Sequence, residues 1–275
     1  MERRGLVDTE TLAGWLRGEV LPVVIDLRQD PADGRPVIPG AVHARLHDGF
    51  AQHRADRNLH YDLPTAAEFA SAMQRAGVTP GTDLVLTDDM RNRWATRVYW
   101  LLRYFRHRGS VAVLDGGNVA WMAAGGPTAE LFRVPPTGSY PVPGAVDESI
   151  RATAAEVASG LESGVVTMCD VRTAEEYIGS DVRAARGGHI PGAVNVAWDD
   201  CLGPDGRFLP DDRLAAVLAP FLDGLGTPVT YCQGGIRASL TWFALHELLG
   251  RPARMYAGSW EEWAQDPALP VEVAN

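Results

Sequence analysis

Ile38-Pro39-Gly40-Ala41-Val42 recurs residue for residue as Ile190-Pro191-Gly192-Ala193-Val194, and this duplication decides the architecture. Three further features repeat in the same order. Ahead of each copy stands a short apolar run ending in Asp-x-Arg: Pro22-Val23-Val24-Ile25-Asp26-Leu27-Arg28 in the first half, Val165-Val166-Thr167-Met168-Cys169-Asp170-Val171-Arg172 in the second. Behind each copy, Leu84-Val85-Leu86-Thr87-Asp88 is matched by Pro228-Val229-Thr230-Tyr231-Cys232. Leu114-Asp115-Gly116-Gly117 with Trp121 is matched by Tyr256-Ala257-Gly258-Ser259 with Trp263. Such short apolar runs read as buried strands, and the Pro-Gly pairs as turns that feed further strands. A repeat about half the chain long lies far beyond solenoid periods and means two tandem domains. The density of Pro and Gly between Gly125 and Gly144 marks a semi-extended linker. The expected layout is a first domain over residues 1–124, a linker over 125–149 and a second domain over 150–275.

Helical patterns fall between the strands. Trp94, Val98, Leu101, Leu102 and Phe105 share one face, as do Leu240, Phe243, Ala244 and Leu248. Thr153 followed by Glu156 is a capping box opening another helix. Strands alternating with helices predict the α/β class, with a parallel sheet flanked by helices in each domain. Ligands of such sheets sit at the carboxyl ends of the strands.

Composition narrows the function classes. A chain of 275 residues that is 46% hydrophobic can bury two ordinary cores. A formal net charge of -10 argues against nucleic acid as a partner, since phosphate binding wants a basic face. No apolar run reaches membrane-spanning length, and Met1 to Glu10 has no signal-peptide core. The three cysteines, Cys169, Cys201 and Cys232, form no CxxC pair or Cys/His ligand spacing, which argues against a metal. Sparse cysteine use fits a reducing compartment, and a cytoplasmic location is expected.

The chemistry concentrates in Thr230-Tyr231-Cys232-Gln233-Gly234-Gly235-Ile236-Arg237-Ala238-Ser239. A strand ends, a cysteine follows at once, and a short glycine-containing loop enters a helix. Backbone N–H groups in such a loop can converge into an anion nest, and the helix N-terminus adds its dipole. Arg237 adds a full charge. Each effect favours thiolate over thiol and suits a persulfide or bound oxyanion. Cys169 lies inside an apolar strand, and Cys201 follows Asp199 and Asp200, whose charges oppose a thiolate; neither is expected to react.

These motifs, with His189-Ile190-Pro191-Gly192-Ala193-Val194-Asn195 and Gly258-Ser259-Trp260-Glu261-Glu262-Trp263, resemble the tandem-domain rhodaneses over essentially the whole chain. That family comprises the thiosulfate and 3-mercaptopyruvate sulfurtransferases. The resemblance implies a catalytic cysteine, Cys232, in the second domain and a first domain that has lost it. Asp88 stands where the repeat aligns Cys232, and Arg97-Val98-Tyr99-Trp100 resembles the family's inactive-domain helix. It further implies covalent sulfur transfer from a small donor to cyanide or a thiol through a Cys232 persulfide, without cofactor. A protein acceptor remains open.

The loop departs from the Cys-Arg-Lys-Gly-Val-Thr of thiosulfate enzymes and the Cys-Gly-Ser-Gly-Val-Thr of mercaptopyruvate enzymes. Gly234 stands where a Lys or Ser distinguishes those donors, and Arg237 where they have Thr. The resemblance therefore leaves both donors open, with thiosulfate preferred. Persulfide and donor binding are expected from Gln233, Gly234, Gly235, Ile236 and Arg237. Arg183 and Arg186 fall in a stretch where mercaptopyruvate enzymes place a substrate-binding Arg, and Glu176 where many relatives place another. Asp170 and Arg172 are expected to pair with each other. His189 is expected to be a turn residue, and Trp260 and Trp263 to pack the core or wall the pocket. A Cys-dependent phosphatase needs five residues between Cys and Arg, and here Arg237 comes one residue early.

Overall fold

The computed structural model describes residues 3–18, 21–224 and 226–273. Its strands are β1 (Leu6–Val7), β2 (Val23–Asp26), β3 (Val42–His43), β4 (Gln52–Arg54), β5 (Leu59–Asp62), β6 (Leu84–Thr87) and β7 (Val111–Leu114) in the first half of the sequence. The second half holds β8 (Arg151–Ala152), β9 (Val166–Asp170), β10 (Val194–Asn195), β11 (Thr227–Tyr231) and β12 (Arg254–Tyr256). Two five-stranded sheets form, in the orders β1-β7-β6-β2-β3 and β8-β12-β11-β9-β10, so the duplication read from the sequence is a duplication of topology. Every pairing within them is parallel. Parallel neighbours need crossovers, and helices such as Ala66–Arg75, Arg93–Tyr104, Ala154–Ser163 and Ile236–Phe243 supply them. This is the α/β architecture of two tandem parallel sheets expected from the pattern.

The chain divides into two compact units, and two short segments cross between the halves of the sequence. The first unit takes in the chain up to Ala51, Pro64–Asp147 and Pro204–Phe208. The second takes in Gln52–Leu63, Glu148–Gly203 and the chain from Leu209 onward. The antiparallel hairpin β4–β5 therefore belongs to the unit that contains Cys232. The Pro- and Gly-rich stretch lies along the first unit: Arg133 N–H donates to the Ala41 carbonyl at 2.8 Å, Gly138 N–H to that of Gln74 at 2.7 Å, and Tyr140 is buried.

The repeated motifs are repeated core. Ile38, Ala41, Val85, Leu114 and Trp121 pack together in the first unit. Ile190, Ala193, Val229, Trp260 and Trp263 pack together in the second. The Asp-x-Arg pairs are buried clamps. Asp26 accepts from the Arg28 backbone and side chain, both at 2.9 Å, and Asp170 accepts from the Arg172 backbone at 3.0 Å and its guanidinium at 2.5 Å. The Thr153/Glu156 capping box forms as expected, and Thr65/Glu68 forms another. The helix expected to reach Leu248 keeps α geometry from Ile236 to Phe243, then widens into a π turn over Ala244–Leu248, where Trp242 and His246 stack.

In the first unit, the loop after the central strand β6 closes around its own side chain. The buried Asp88 carboxylate accepts from Met90, Asn92, Trp94 and Ala95 N–H at 2.8–2.9 Å. Burial pushes its pKa up, and these four amides oppose the shift. Asp88→Ala would leave the donors unpaired, and a buried unpaired donor costs about 1–3 kcal/mol. We expect this variant to lose about 3 kcal/mol in urea unfolding followed by circular dichroism; an unshifted transition would contradict the loop geometry.

Candidate active site

Cys232 directly follows β11, the central strand of the second sheet. Its Sγ accepts from Gly235 N–H at 3.1 Å, and its own N–H donates to Ser259 Oγ at 3.1 Å. The Cys232 carbonyl accepts from Trp260 N–H at 2.9 Å, and the Gln233 carbonyl from Glu261 N–H at 2.8 Å. The start of the loop is thus tied to the segment after β12. Gly235 caps the following helix in the left-handed region at φ 83°, a conformation glycine adopts at little cost. Ser259 also has positive φ, 55°, although it carries a side chain. Its hydroxyl accepts from Cys232 and donates to the Tyr256 carbonyl at 2.9 Å, which gives the strained residue its place. Cys232 as a residue is 1% exposed.

Beneath the loop, the Tyr231 hydroxyl donates to Asp170 at 2.6 Å and accepts from Ile190 N–H at 3.1 Å. Arg172 donates to the Gly188 carbonyl at 2.8 Å and lies over the Trp260 ring at 4.6 Å. The Asp-x-Arg, His-Ile-Pro and Gly-Ser-Trp motifs therefore meet directly under the cysteine. His189 is buried, stacks on Tyr177 at 3.7 Å and lies 2.9 Å from the Tyr177 carbonyl through Nδ1, a structural role.

At the loop's far end, Arg237 donates both terminal nitrogens to Glu176, at 2.6 and 2.8 Å. Burial opposes ionisation of Glu176, but Arg237 overrides it and the carboxyl lies below its ordinary range. Thr173 and Glu176 also form a capping box, so this glutamate holds a helix start and the loop arginine together. The hairpin β4–β5 adds another wall. His60 engages Glu261 through N–H at 2.9 Å and Nδ1 at 2.5 Å, and Arg57 pairs with Glu262 at 2.7 Å. A Cβ at Gly234 would lie 3.1 Å from the Tyr61 ring and 3.4 Å from Glu261 Oε2. The space a side chain at 234 would need is already lined.

Gln233, Gly234 and Gly235 form the loop after Cys232, Ile236 and Arg237 open the helix it enters, and Gln233 Nε2 donates to the Arg183 carbonyl at 3.0 Å. The Arg183 guanidinium is 53% exposed, paired with Asp181 at 2.6 Å and 4.0 Å from Glu176. Arg186 is turned elsewhere: its guanidinium donates to the carbonyls of Trp263, Ala264, Asp266 and Leu269 at 2.6–3.1 Å, anchoring the C-terminal segment. Cys169 and Cys201 are buried, and burial raises both thiols, Cys201 to about 12; the Asp199 and Asp200 charges add to that shift but are not its main cause. Ser259, the His60–Glu261 contact and the Arg237–Glu176 pair escaped sequence reading. Of these, only the Thr173-x-x-Glu176 spacing leaves a signal in the chain. Among the described residues no group of three or more His, Cys, Asp or Glu could hold a metal, and no helix is long and apolar enough to cross a membrane.

The family model described as Rhodanese-like domain matches twice, over residues 8–124 and 153–266. The chain belongs to the rhodanese family. Its rhodanese relatives include a thiosulfate sulfurtransferase of Corynebacterium glutamicum, 41% identical over 227 residues, 78% of this chain and 74% of that one. A probable 3-mercaptopyruvate sulfurtransferase of Pseudomonas aeruginosa is 36% identical over the full length of both chains. The sulfur carrier protein TtuD of Thermus thermophilus is 36% identical over 76% of this chain and 78% of that one. The crystal structure of SseA from Escherichia coli, a 3-mercaptopyruvate sulfotransferase, superposes with a TM-score of 0.80 at 25% identity, covering 94% of this chain and 99% of that one. This rhodanese is accordingly a sulfurtransferase. Because Arg186 is committed to carbonyls, we expect Arg186→Met to lower thermal stability by several degrees while donor KM stays within about twofold. A large KM change at unchanged stability would instead make Arg186 a donor ligand.

Proposed function

We propose that this rhodanese takes the sulfane sulfur of thiosulfate onto Cys232 and passes it to cyanide or a thiol. The observation that carries this reading is the Gly235 N–H aimed at Cys232 Sγ at 3.1 Å, in a loop whose start is tied to the Ser259–Glu261 segment and whose exit is held by the Arg237–Glu176 pair. An amide already directed at sulfur stabilises negative charge there without reorganisation. The Cys232 thiolate attacks the outer sulfur of thiosulfate. A Cys–S bond forms, the S–S bond of the donor breaks, and sulfite leaves with the bonding pair. The enzyme then carries a persulfide whose terminal sulfur is anionic. Cyanide attacks that sulfur, thiocyanate leaves, and the thiolate is restored. The two half-reactions imply ping-pong kinetics.

In this scheme the amides of Gly234, Gly235 and Ile236 line the sulfur, Gln233 holds the 183 backbone beside the loop, and Arg237, paired with Glu176, holds the start of the following helix. Arg183, half exposed near the loop, is the further cation available to a donor anion. Thiosulfate is favoured by the name of the 41% identical relative, whereas the full-length relative bears the name of a mercaptopyruvate enzyme. The carrier relative supports a protein acceptor as the variant of the same chemistry. Three unpaired, buried thiols suit a reducing compartment, and we take the cytoplasm as its location.

Thiocyanate formation from thiosulfate and from 3-mercaptopyruvate, measured side by side, tests the reading. We expect turnover with thiosulfate in the wild type and at least a thousandfold loss in Cys232→Ser, because loss of a nucleophile removes the covalent route. Turnover with mercaptopyruvate alone would reassign the donor. A reactive Cys232 without turnover on either would favour transfer to a protein.

A further inference from the structure

The charges around the Cys232 loop nearly cancel. Arg237 stands close enough to Cys232 for their charges to interact, yet both of its terminal nitrogens are bound by Glu176. The Glu176 side chain is fully buried and that of Arg237 13% exposed, so water screens this pair little. Arg183 is likewise paired, with Asp181 at 2.6 Å. Glu261, beside position 234, adds a carboxylate that faces His60. Two arginines stand against Glu176 and Asp181 before Glu261 is considered. An arginine bound bidentately by a carboxylate acts on a distant anion as a dipole, and its field falls faster than that of a free charge.

We propose that Glu176 sets the donor charge that this sulfurtransferase accepts: by neutralising Arg237 it keeps the Cys232 loop close to electroneutral and holds down affinity for dianionic thiosulfate relative to donors of lower charge. The proposal rests on the sulfurtransferase reading of Cys232. Glu176 acts through Arg237 and touches neither donor nor sulfur, which makes it a residue of specificity. The Coulomb effect scales with donor charge, so removing one negative charge here helps a dianion twice as much, in logarithmic terms, as a monoanion.

Glu176→Gln tests this, since glutamine keeps an oxygen for Arg237 and for the helix cap while removing the charge. At low ionic strength the KM for thiosulfate should fall on the order of tenfold, and that for 3-mercaptopyruvate about threefold, with kcat changed less than about twofold. Added salt should shrink both gains. An unchanged or raised thiosulfate KM, with Cys232 still forming its persulfide, would overturn the proposal while leaving the sulfurtransferase reading intact. The wild type supplies a second test that needs no variant: a near-neutral loop predicts a thiosulfate KM that does not rise with salt, and a steep rise would overturn it. Failure of the wild type to form any persulfide would overturn both readings.

Discussion

Amide N–H groups that converge in a buried loop need an electron-rich partner, and much of this molecule is arranged around that requirement. The loop after the central strand of each sheet poses it. In the first unit the Asp88 carboxylate meets it from within, taking four N–H groups. In the second unit the corresponding residue is Cys232, and its sulfur accepts from Gly235. A carboxylate fills its cradle permanently. A sulfur atom fills it in a form that can be lengthened by one more sulfur and shortened again. In the proposed function, the same backbone device serves structure in one copy and chemistry in the other.

The rest of the second unit keeps that loop still. Asp170 and Arg172 form a buried pair, and such pairs specify geometry more than they stabilise. The Tyr231 hydroxyl links this pair to the strand that delivers the cysteine, while Ser259, Trp260 and Glu261 hold the loop backbone from the other side. Asn118 N–H on the Asp88 carbonyl at 2.9 Å corresponds to Trp260 N–H on the Cys232 carbonyl, so the anchoring contact was duplicated along with the sheet.

Much of this was legible in the chain. The order of the repeated motifs predicts the two sheets, because each apolar run is short, bounded by turn residues and separated from the next by a helical pattern. The cysteine loop is legible because its residues are contiguous. What could not be read depends on contacts distant in sequence. Glu176 and Arg237 are separated by 61 positions. His60 and Glu261 are separated by 201, through a hairpin that belongs to the second unit. Arg186 shows the opposite limit: its position suggested substrate binding, but a planar group with several donors serves a cluster of carbonyls equally well, and only the fold brings those carbonyls to it. The Thr173-x-x-Glu176 spacing fits a capping box, but the role of Glu176 toward the loop required the third dimension.

The central claim is that Cys232 alone carries transferred sulfur. Mass analysis of peptides from protein treated with thiosulfate, without reductant, tests it most directly. The account predicts one added sulfur atom on the Cys232 peptide, removed by cyanide, and none on those of Cys169 and Cys201. Sulfur on either of the other cysteines, or none on Cys232 under conditions where thiocyanate is being produced, would contradict it.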